Sequence, residues 1–308
     1  MKELLDRILD ECREYTNKGC VASYIPELSR ADKNNIAVSV LSSDGKETIS
    51  SGECEVCFTI QSVVKPIILL LALEDNGEER VRQLVGVEAT GKPFDAFNYS
   101  DRALTRENIN PMINTGAIAL CTLISGDTYE DKFERLLAFT RIMADNPTLE
   151  LDERVYLSER ATGHKNRALA YMLKAYGMVS DDAEDILEVY FKACSINVTS
   201  RDLAAIAYVL AMGGRNRRGE QIISPDFARY INAVLVTSGM YDGSGEFAVK
   251  VGIPAKSGVG GGIMAVVPGK MGIGIYSPAL DSKGNSVAGV EMLGKLSRVM
   301  KLSIFGGE

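Results

Sequence analysis

The apolar residues of this chain change their spacing twice, and that order of patterns limits the folds that the chain can adopt. Near the N terminus, residues 36–41 and 46–50 alternate like two strands around an Asp44-Gly45 turn. Strand-like patterns return near the C terminus at residues 247–251, 262–268 and 272–276. Between these groups, apolar residues recur at helical spacing in residues 114–125, 129–143, 166–176, 183–193 and 200–212. A helical block between two groups of strands predicts a sheet built from both ends of the chain.

The same order predicts an α+β protein in which helices flank an antiparallel sheet. An amphipathic helix opens the chain with apolar residues from Leu4 to Cys12, and another helix follows the last strand over residues 287–302. We predict that residues 1–75 and 228–308 form the sheet-bearing domain and that residues 76–227 form an inserted all-helical domain. Small-molecule sites commonly lie in the cleft between two such domains.

The charge balance argues against polyanionic partners. The chain has 34 Lys and Arg residues against 41 Asp and Glu residues, a net charge of -7, so we expect neither nucleic acid nor a membrane surface as a partner. A single histidine, His164, excludes His-rich metal sites, and no group of His, Cys and carboxylates has ligand spacing. We therefore expect no metal and no cofactor, and we expect His164 on a loop in a structural role.

The cysteines and the N terminus indicate where the protein works. Residues 1–17 carry charges among their apolar residues, unlike a signal peptide, and the apolar run at residues 66–73 is far shorter than the roughly 20 residues that span a bilayer. We expect a cytoplasmic protein. In that reducing compartment, Cys12, Cys20, Cys54, Cys57, Cys121 and Cys194 should be free thiols in the core or in strands.

The first chemical motif is Ser62-Val63-Val64-Lys65, which follows a strand-like stretch and opens an apolar helix. Residues three apart lie on one helix face, so the Lys65 amine can take the Ser62 hydroxyl proton if burial keeps the amine partly neutral. The Ser62 backbone N–H at a helix start would also favour a developing oxyanion. The alternative is that Ser62 only caps the helix and Lys65 is solvated.

A second motif, Lys256-Ser257-Gly258, lies at the start of a C-terminal strand. It resembles the K-T-G element that accompanies S-x-x-K in serine β-lactamases and penicillin-binding proteins. The order of the motifs and the predicted architecture both agree with a serine β-lactamase-like fold. The glycines at residues 258–262 lack the spacing of a phosphate loop, so they are better explained by a flexible turn or by a close approach to a substrate.

Over nearly its whole length the chain resembles the bacterial glutaminases. Seven blocks in one order carry this resemblance: Ser23-Tyr24-Ile-Pro-Glu-Leu28, Phe58-Thr-Ile-Gln-Ser62-Val-Val-Lys65, Asn108-Ile-Asn-Pro-Met-Ile-Asn114-Thr-Gly-Ala-Ile118, Ser158-Glu159 with Asn166-Arg-Ala-Leu, Tyr190-Phe-Lys-Ala-Cys-Ser-Ile196, Gly239-Met-Tyr241-Asp, and Lys256-Ser-Gly-Val259. The resemblance implies hydrolysis of L-glutamine to L-glutamate and ammonia without a cofactor, by a homotetramer or dimer. The chain departs from the family at residues 88–91, where it reads Glu-Ala-Thr-Gly instead of Glu-Pro-Ser-Gly.

The resemblance also implies roles for individual residues. Ser62 is the expected acyl-forming nucleophile, Lys65 its proton partner and Tyr241 a second proton-relay group. The backbone N–H groups of Ser62 and Val259 form the expected oxyanion hole. Glu159 is expected to receive the α-ammonium of glutamine, with Gln61 in the same binding set, while Tyr24, Asn114, Asn166 and Tyr190 surround the α-carboxylate.

These residues also allow simpler interpretations. Asn114 and Asn166 could cap their helices, Glu159 could be a solvated surface acid, and Tyr24, Tyr190 and Tyr241 could be core residues. Two other functions stay open: a penicillin-recognising hydrolase or peptidase, and a non-catalytic amino-acid-binding protein on the same scaffold. The absence of an export signal argues against the first function, and the intact Ser62, Lys65 and Lys256-Ser-Gly set argues against the second.

Overall fold

The computed structural model describes residues 1–89 and 105–306. Within these ranges the strands are β1 (Ala37–Ser42), β2 (Thr48–Gly52), β3 (Phe58–Thr59), β4 (Asn197–Val198), β5 (Ala255–Ser257), β6 (Gly262–Val267) and β7 (Met271–Tyr276). The helices are α1 (Lys2–Cys12), α2 (Lys65–Leu84), α3 (Asn114–Cys121), α4 (Tyr129–Ala144), α5 (Glu153–Thr162), α6 (His164–Ala175), α7 (Ala183–Cys194), α8 (Ser200–Ala211), α9 (Pro225–Ser238), α10 (Ser244–Lys250) and α11 (Val287–Met300). Thr90 and Gly91, part of the departure from the family pattern, lie outside the described residues.

Strands from both ends of the chain meet in one antiparallel sheet, as the sequence predicts. Among the described residues the sheet has five strands in the order β2-β1-β7-β6-β5. Ala37 of β1 and Gly262 of β6 both pair with Tyr276 of β7. The predicted hairpin is confirmed as β1 and β2, and the predicted strands at residues 262–268 and 272–276 are confirmed as β6 and β7.

Helices cover both faces of this sheet. Ile273 and Ile275 of β7 belong to a core shared with α1 and α11. The alternating residues Gly272 and Gly274 face α8, where an added Cβ would lie 2.2 Å from the Ala204 carbonyl oxygen and 1.9 Å from the Ser200 carbonyl oxygen. Since only glycine leaves room for this approach, the alternation in β7 decides how closely α8 can pack.

Most of the predicted helices are confirmed, with the expected centres and slightly different ends. α1, α3, α4, α6, α7, α8 and α11 each cover a segment for which helical spacing was predicted. α5 and α9 were not predicted, although each has a side-chain N-cap, Asp152 and Ser224 respectively. Within the described part of the chain, no helix combines the length and the apolar character that a membrane crossing requires.

Two predictions of local structure are wrong. Residues 247–250 form the end of α10, with Val251 as its C-cap, and not a strand. Phe247 and Val251, four residues apart, are buried while Val249 is 92% exposed. This is burial at helical spacing, which the alternation of apolar residues in the sequence concealed. His164 is also not on a loop, since it is the first residue of α6.

The cysteine prediction is correct only in part. All six thiols are free, and Cys12, Cys121 and Cys194 are buried. Cys54 is half-buried, whereas Cys20 and Cys57 are exposed, so the expectation that all six lie in the core or in strands is wrong for these two. Cys57 immediately precedes the short strand β3 and is not part of the sheet core.

The domain boundaries at residues 75/76 and 227/228 stay a prediction. α2 runs through the first boundary and is interrupted at Gly77, which has a φ of 77°. α8 lies within the proposed insertion in sequence, yet it packs against β1, β6 and β7. The small β3–β4 sheet likewise pairs residues from the two sides of that boundary.

Candidate active site

Ser62 lies in a single turn of 3-10 helix, Gln61–Val64, that continues directly into α2. Gln61 has a positive φ of 48°, a backbone conformation that non-glycine residues rarely adopt and that is often found at functional sites. Neither helix start has a side-chain cap, and Lys65 is fully buried. The alternative in which Ser62 is a cap and Lys65 is solvated is therefore wrong.

The Lys65 amine is held by oxygen acceptors in the interior. Its Nζ donates to the Asn114 side-chain oxygen at 2.6 Å and to the Met112 carbonyl oxygen at 3.3 Å. The Asn114 amide nitrogen donates to the Asn166 side-chain oxygen at 2.9 Å, and the Tyr190 hydroxyl donates to the Asn114 oxygen at 3.3 Å. These contacts make one network that connects the amine to three helices, α3, α6 and α7.

This network also shows whether Asn114 and Asn166 cap their helices, which was the alternative interpretation. Asn114 is the first residue of α3, and the helix is preceded by Ile113 without a side-chain cap. Asn166 lies within the first turn of α6, which follows Gly163 and likewise has no side-chain cap. The capping interpretation is wrong for both residues, because each side chain is used in the polar network.

Tyr241 is distant from Ser62 in the sequence but contacts it in the structure. It is buried and has a positive φ of 55°, and its phenol contacts the Ser62 side chain and the Val259 backbone N–H. Burial raises the pKa of Tyr241 well above its ordinary range, while the contacts with Ser62 and Val259 act to lower it. The phenol therefore keeps its proton at neutral pH and can act as a donor.

The Lys256-Ser257-Gly258 motif packs directly against the Ser62 turn. An added Cβ on Gly258 would lie 2.8 Å from the Ile60 carbonyl oxygen, so glycine is needed for this approach. Lys256 is fully buried and its Nζ lies 4.5 Å from the centre of the Tyr241 ring. Burial, together with the nearby charge of Lys65, lowers the pKa of Lys256 well below its ordinary value.

Glu159 is a buried acid on α5 and not a solvated surface residue. It is 5% exposed, and its Oε2 makes no hydrogen bond with any described residue. Burial raises its pKa to about 8, although the Gln61 side chain and the charge of Lys65 act to lower it. A buried carboxylate with an unused acceptor is suited to receive a cationic group of a ligand.

A cavity of about 430 Å³ brings most of these side chains together. Its lining residues are Tyr24, Ile25, Gln61, Ser62, Asn114, Glu159, Thr162, Gly163, His164, Lys165, Asn166, Tyr190 and Cys194. Seven of the residues predicted from the sequence are in this set. Lys65, Tyr241 and Val259 are not; Lys65 contacts Asn114, Tyr241 contacts Ser62, and Val259 contacts Tyr241.

Several lining residues were not predicted from the sequence, although two signals could have found them. Thr162, Gly163, His164 and Lys165 directly precede Asn166, so a helix that presents Asn166 at its start brings them close. Cys194 follows Tyr190 by four residues, one helical turn along α7.

The arrangement can perform covalent acyl transfer on a cationic substrate. A buried hydroxyl contacts a phenol, the Lys65 amine bonds to the cavity residue Asn114, and a buried acid lies in the same cavity. Within residues 1–89 and 105–306, no group of three or more His, Cys, Asp or Glu residues is placed to hold a metal ion. A hydroxyl, an amine and a phenol are groups that nucleophilic attack and proton transfer require.

The chain is similar in sequence and in structure to proteins of one known family. A family model described as glutaminase matches residues 19–305. Glutaminase 2 of Clostridium perfringens is 49% identical over 306 residues, which cover 99% of this chain and 100% of that protein. The glutaminase of Clostridioides difficile is 50% identical over 303 residues, 98% of each chain. The covalent complex of a Bacillus subtilis glutaminase with 5-oxo-L-norleucine, formed with 6-diazo-5-oxo-L-norleucine, is similar in structure, with a TM-score of 0.90, 36% identity and 99% of each chain covered.

Proposed function

The chain belongs to the glutaminase family, and we propose that it hydrolyses L-glutamine to L-glutamate and ammonia through an acyl-enzyme on Ser62. The observation that carries this proposal is the position of Ser62 and Glu159 in one cavity, with Lys65 and Tyr241 in contact with its lining. A nucleophile and an acid in the same cavity match the side-chain amide and the α-ammonium of glutamine.

Acylation begins with attack of the Ser62 hydroxyl on the side-chain carbonyl carbon of glutamine. A neutral Lys65 amine has two hydrogens, and the Asn114 and Met112 oxygens lie within reach of both. Its lone pair is then the group that accepts the Ser62 proton. The bond from Ser62 Oγ to the carbonyl carbon forms while the carbonyl oxygen becomes an oxyanion, stabilised by the N–H groups of Ser62 and Val259.

Collapse of this intermediate breaks the carbon–nitrogen bond and releases ammonia. The leaving nitrogen takes a proton, and Tyr241 supplies it because burial keeps its phenol protonated and in contact with Ser62. The phenol regains a proton from the Lys65 ammonium. Water then attacks the acyl-enzyme, gives a proton to the same relay, and releases glutamate and the Ser62 hydroxyl.

The far end of the cavity holds the amino-acid part of the substrate. Glu159 receives the α-ammonium. The Gln61 side chain contacts Glu159 and donates to Thr59 Oγ1 at 3.2 Å, and it thereby holds the Glu159 carboxylate in place. Asn114, Asn166, Tyr190 and Tyr24 surround the α-carboxylate. The covalent complex of the Bacillus subtilis glutaminase supports an amino-acid ligand and covalent chemistry, because that protein reacted with the amino-acid reagent 6-diazo-5-oxo-L-norleucine.

The proposal also covers the compartment, the oligomeric state and the partners of the enzyme. The enzyme works in the cytoplasm as a homotetramer or dimer, without a cofactor and without nucleic-acid or membrane partners. The net charge of -7 supports the absence of a polyanionic partner. Light scattering over a range of protein concentrations tests the oligomeric state.

Ammonia release from the purified protein tests the reaction itself. Glutamine, asparagine and a chromogenic β-lactam are compared side by side, and only glutamine is expected to react strongly. Hydrolysis of the β-lactam without ammonia from glutamine would support a penicillin-recognising hydrolase. Binding of glutamine in calorimetry without ammonia release would support an amino-acid-binding protein.

A further inference from the structure

Glu188 makes a side-chain connection between α7 and α5 that no step of the reaction uses. Its carboxylate accepts hydrogen bonds from the Tyr156 hydroxyl and, at 2.6 Å, from the Arg160 guanidinium. Tyr156 and Arg160 are four residues apart on α5 and therefore lie on one face of that helix. Glu188 and Tyr156 are both buried while Arg160 is exposed, so the contact with Tyr156 is the half of this connection that is shielded from solvent.

α5 has few other anchors among the described residues. Only Val155, Tyr156 and Glu159 of its ten residues are buried. A main-chain hydrogen bond from Asp152 to the Ser195 carbonyl oxygen holds its N-terminal end. In the middle of the helix, Ser158 Oγ accepts a hydrogen bond from the Glu27 backbone N–H at 3.3 Å, and the other contacts are made by side chains. The contact of Glu188 with both Tyr156 and Arg160 is therefore well placed to fix the helix where it carries Glu159.

Glu188 also lies on the helix that supplies the other end of the predicted amino-acid subsite. Tyr190, two residues further along α7, contacts Asn114. A connection between α5 and α7 therefore sets the distance between Glu159 on α5 and Tyr190 on α7. For a rigid zwitterion this separation matters, because a displacement of about 1 Å can lower catalytic efficiency by about 100-fold.

We propose that Glu188 is a positioning residue, which holds Glu159 at the distance from Tyr190 that the two charged groups of an α-amino acid require. This inference rests on the proposed function, since it assigns to Glu159 the α-ammonium of glutamine. Burial raises the pKa of the Tyr156 phenol, and the Glu188 carboxylate adds to this effect, so the hydroxyl remains a donor throughout the working pH range. Lys192, one turn beyond Glu188, lies 5.8 Å from the centre of the Tyr156 ring and supports the same contact.

Glu188→Gln tests the proposal, because it keeps the shape of the side chain and removes its charge. Tyr156→Phe removes the other half of the contact from the α5 side. Glu184→Gln is the matched control: Glu184 lies one turn earlier on α7 and also contacts an arginine and a tyrosine hydroxyl, those of Arg167 and Tyr171, but on α6. Thermal unfolding of each variant shows whether it is folded.

The readouts are KM and kcat for glutamine, and inhibition by L-glutamate and by glutarate, which lacks the α-amino group. We expect Glu188→Gln and Tyr156→Phe each to raise KM about tenfold, with kcat changed less than about threefold. Inhibition by L-glutamate should weaken in parallel, while inhibition by glutarate and the kinetics of Glu184→Gln should stay near those of the wild type.

Two results would overturn the proposal. One is an equal loss of affinity for L-glutamate and glutarate in folded variants, which would indicate a general disturbance of the cavity. The other is kinetics of both variants that match those of Glu184→Gln. If Glu188→Gln does not fold, Tyr156→Phe decides alone. A wild-type protein that releases no ammonia from glutamine would contradict the proposed function instead, and the comparison of L-glutamate with glutarate binding would still test Glu188.

Discussion

The buried amine of Lys65 and the side-chain oxygen of Asn114 are joined by a hydrogen bond of 2.6 Å. The amide nitrogen of the same asparagine donates to Asn166, which lines the cavity. One side chain thus contacts both the proposed proton acceptor of Ser62 and the surface proposed to bind the substrate carboxylate. A change at Asn114 should therefore affect the chemical step as well as binding.

Asn114→Asp is expected to lower kcat by about 10- to 1,000-fold. A carboxylate beside the Lys65 amine favours its protonated form, so the amine takes the Ser62 proton less readily. Asn166→Asp is the control, because Asn166 contacts Asn114 and not the amine, and its main effect should be on KM. Steady-state kinetics of both variants provide the test, and an unchanged kcat for Asn114→Asp would contradict the role of Lys65.

The affinity for glutamine is expected to depend on pH through Glu159. Burial raises the pKa of this carboxyl to about 8, so below that pH most of the free enzyme carries it in the neutral form. Pairing with the α-ammonium requires the ionised form, and binding must then release a proton. KM should fall as pH rises toward about 8 and should level off above it. Calorimetry in buffers of different ionisation enthalpy measures the released proton, and binding without proton release at neutral pH would show that the carboxyl is already ionised.

Glu159→Ala is expected to impair recognition of the α-ammonium selectively. Truncation of one partner of a buried charge pair typically costs about 2–5 kcal/mol, or about 30-fold to several thousand-fold in kcat/KM. The analogue of glutamine without the α-amino group never makes this contact, so it should be a poor substrate that loses little more in the variant. A double-substitution cycle with two enzymes and two substrates isolates the interaction, and a coupling below about 0.5 kcal/mol would remove Glu159 from this role.

Activity is expected to survive exhaustive dialysis against EDTA. No group of three or more His, Cys, Asp or Glu residues that could hold a metal ion occurs within residues 1–89 and 105–306, and the proposed steps use groups of the protein alone. Ammonia release before and after dialysis is the measurement. Loss of activity that zinc or magnesium restores would reveal a metal requirement.

Local patterns in the sequence were sufficient for much of the fold. The hairpin of β1 and β2 and the helix α1 follow from alternation and helical spacing over a few residues. The segment at residues 247–251 was misread because its alternation is also compatible with one helical turn, and only tertiary burial separates the two. Strand pairing between β1 and β7 could be anticipated only as a consequence of the order of the patterns.

The site was predictable where a motif names its residues and was missed where contacts arise only in three dimensions. Ser62 and Lys65 stand in one short motif, and Asn114 and Asn166 were found by resemblance. The contact of Tyr156 with Glu188 joins residues 32 positions apart, and neither belongs to a recognisable motif. The burial that raises the pKa of Glu159 also depends on the packed structure, so the sequence could not distinguish it from a surface acid.

The turnover of Ser62→Ala tests the acyl-enzyme most directly. The variant should lose at least about 1,000-fold in kcat for ammonia release, while glutamine binding stays measurable by calorimetry, since the nucleophile makes the bond and the other side chains supply affinity. Ser195→Ala, which removes a buried hydroxyl outside the cavity lining, serves as the control and should retain nearly full activity. A Ser62→Ala enzyme that retains more than about a tenth of wild-type turnover would contradict the account, because a side-chain nucleophile cannot be dispensable in covalent catalysis.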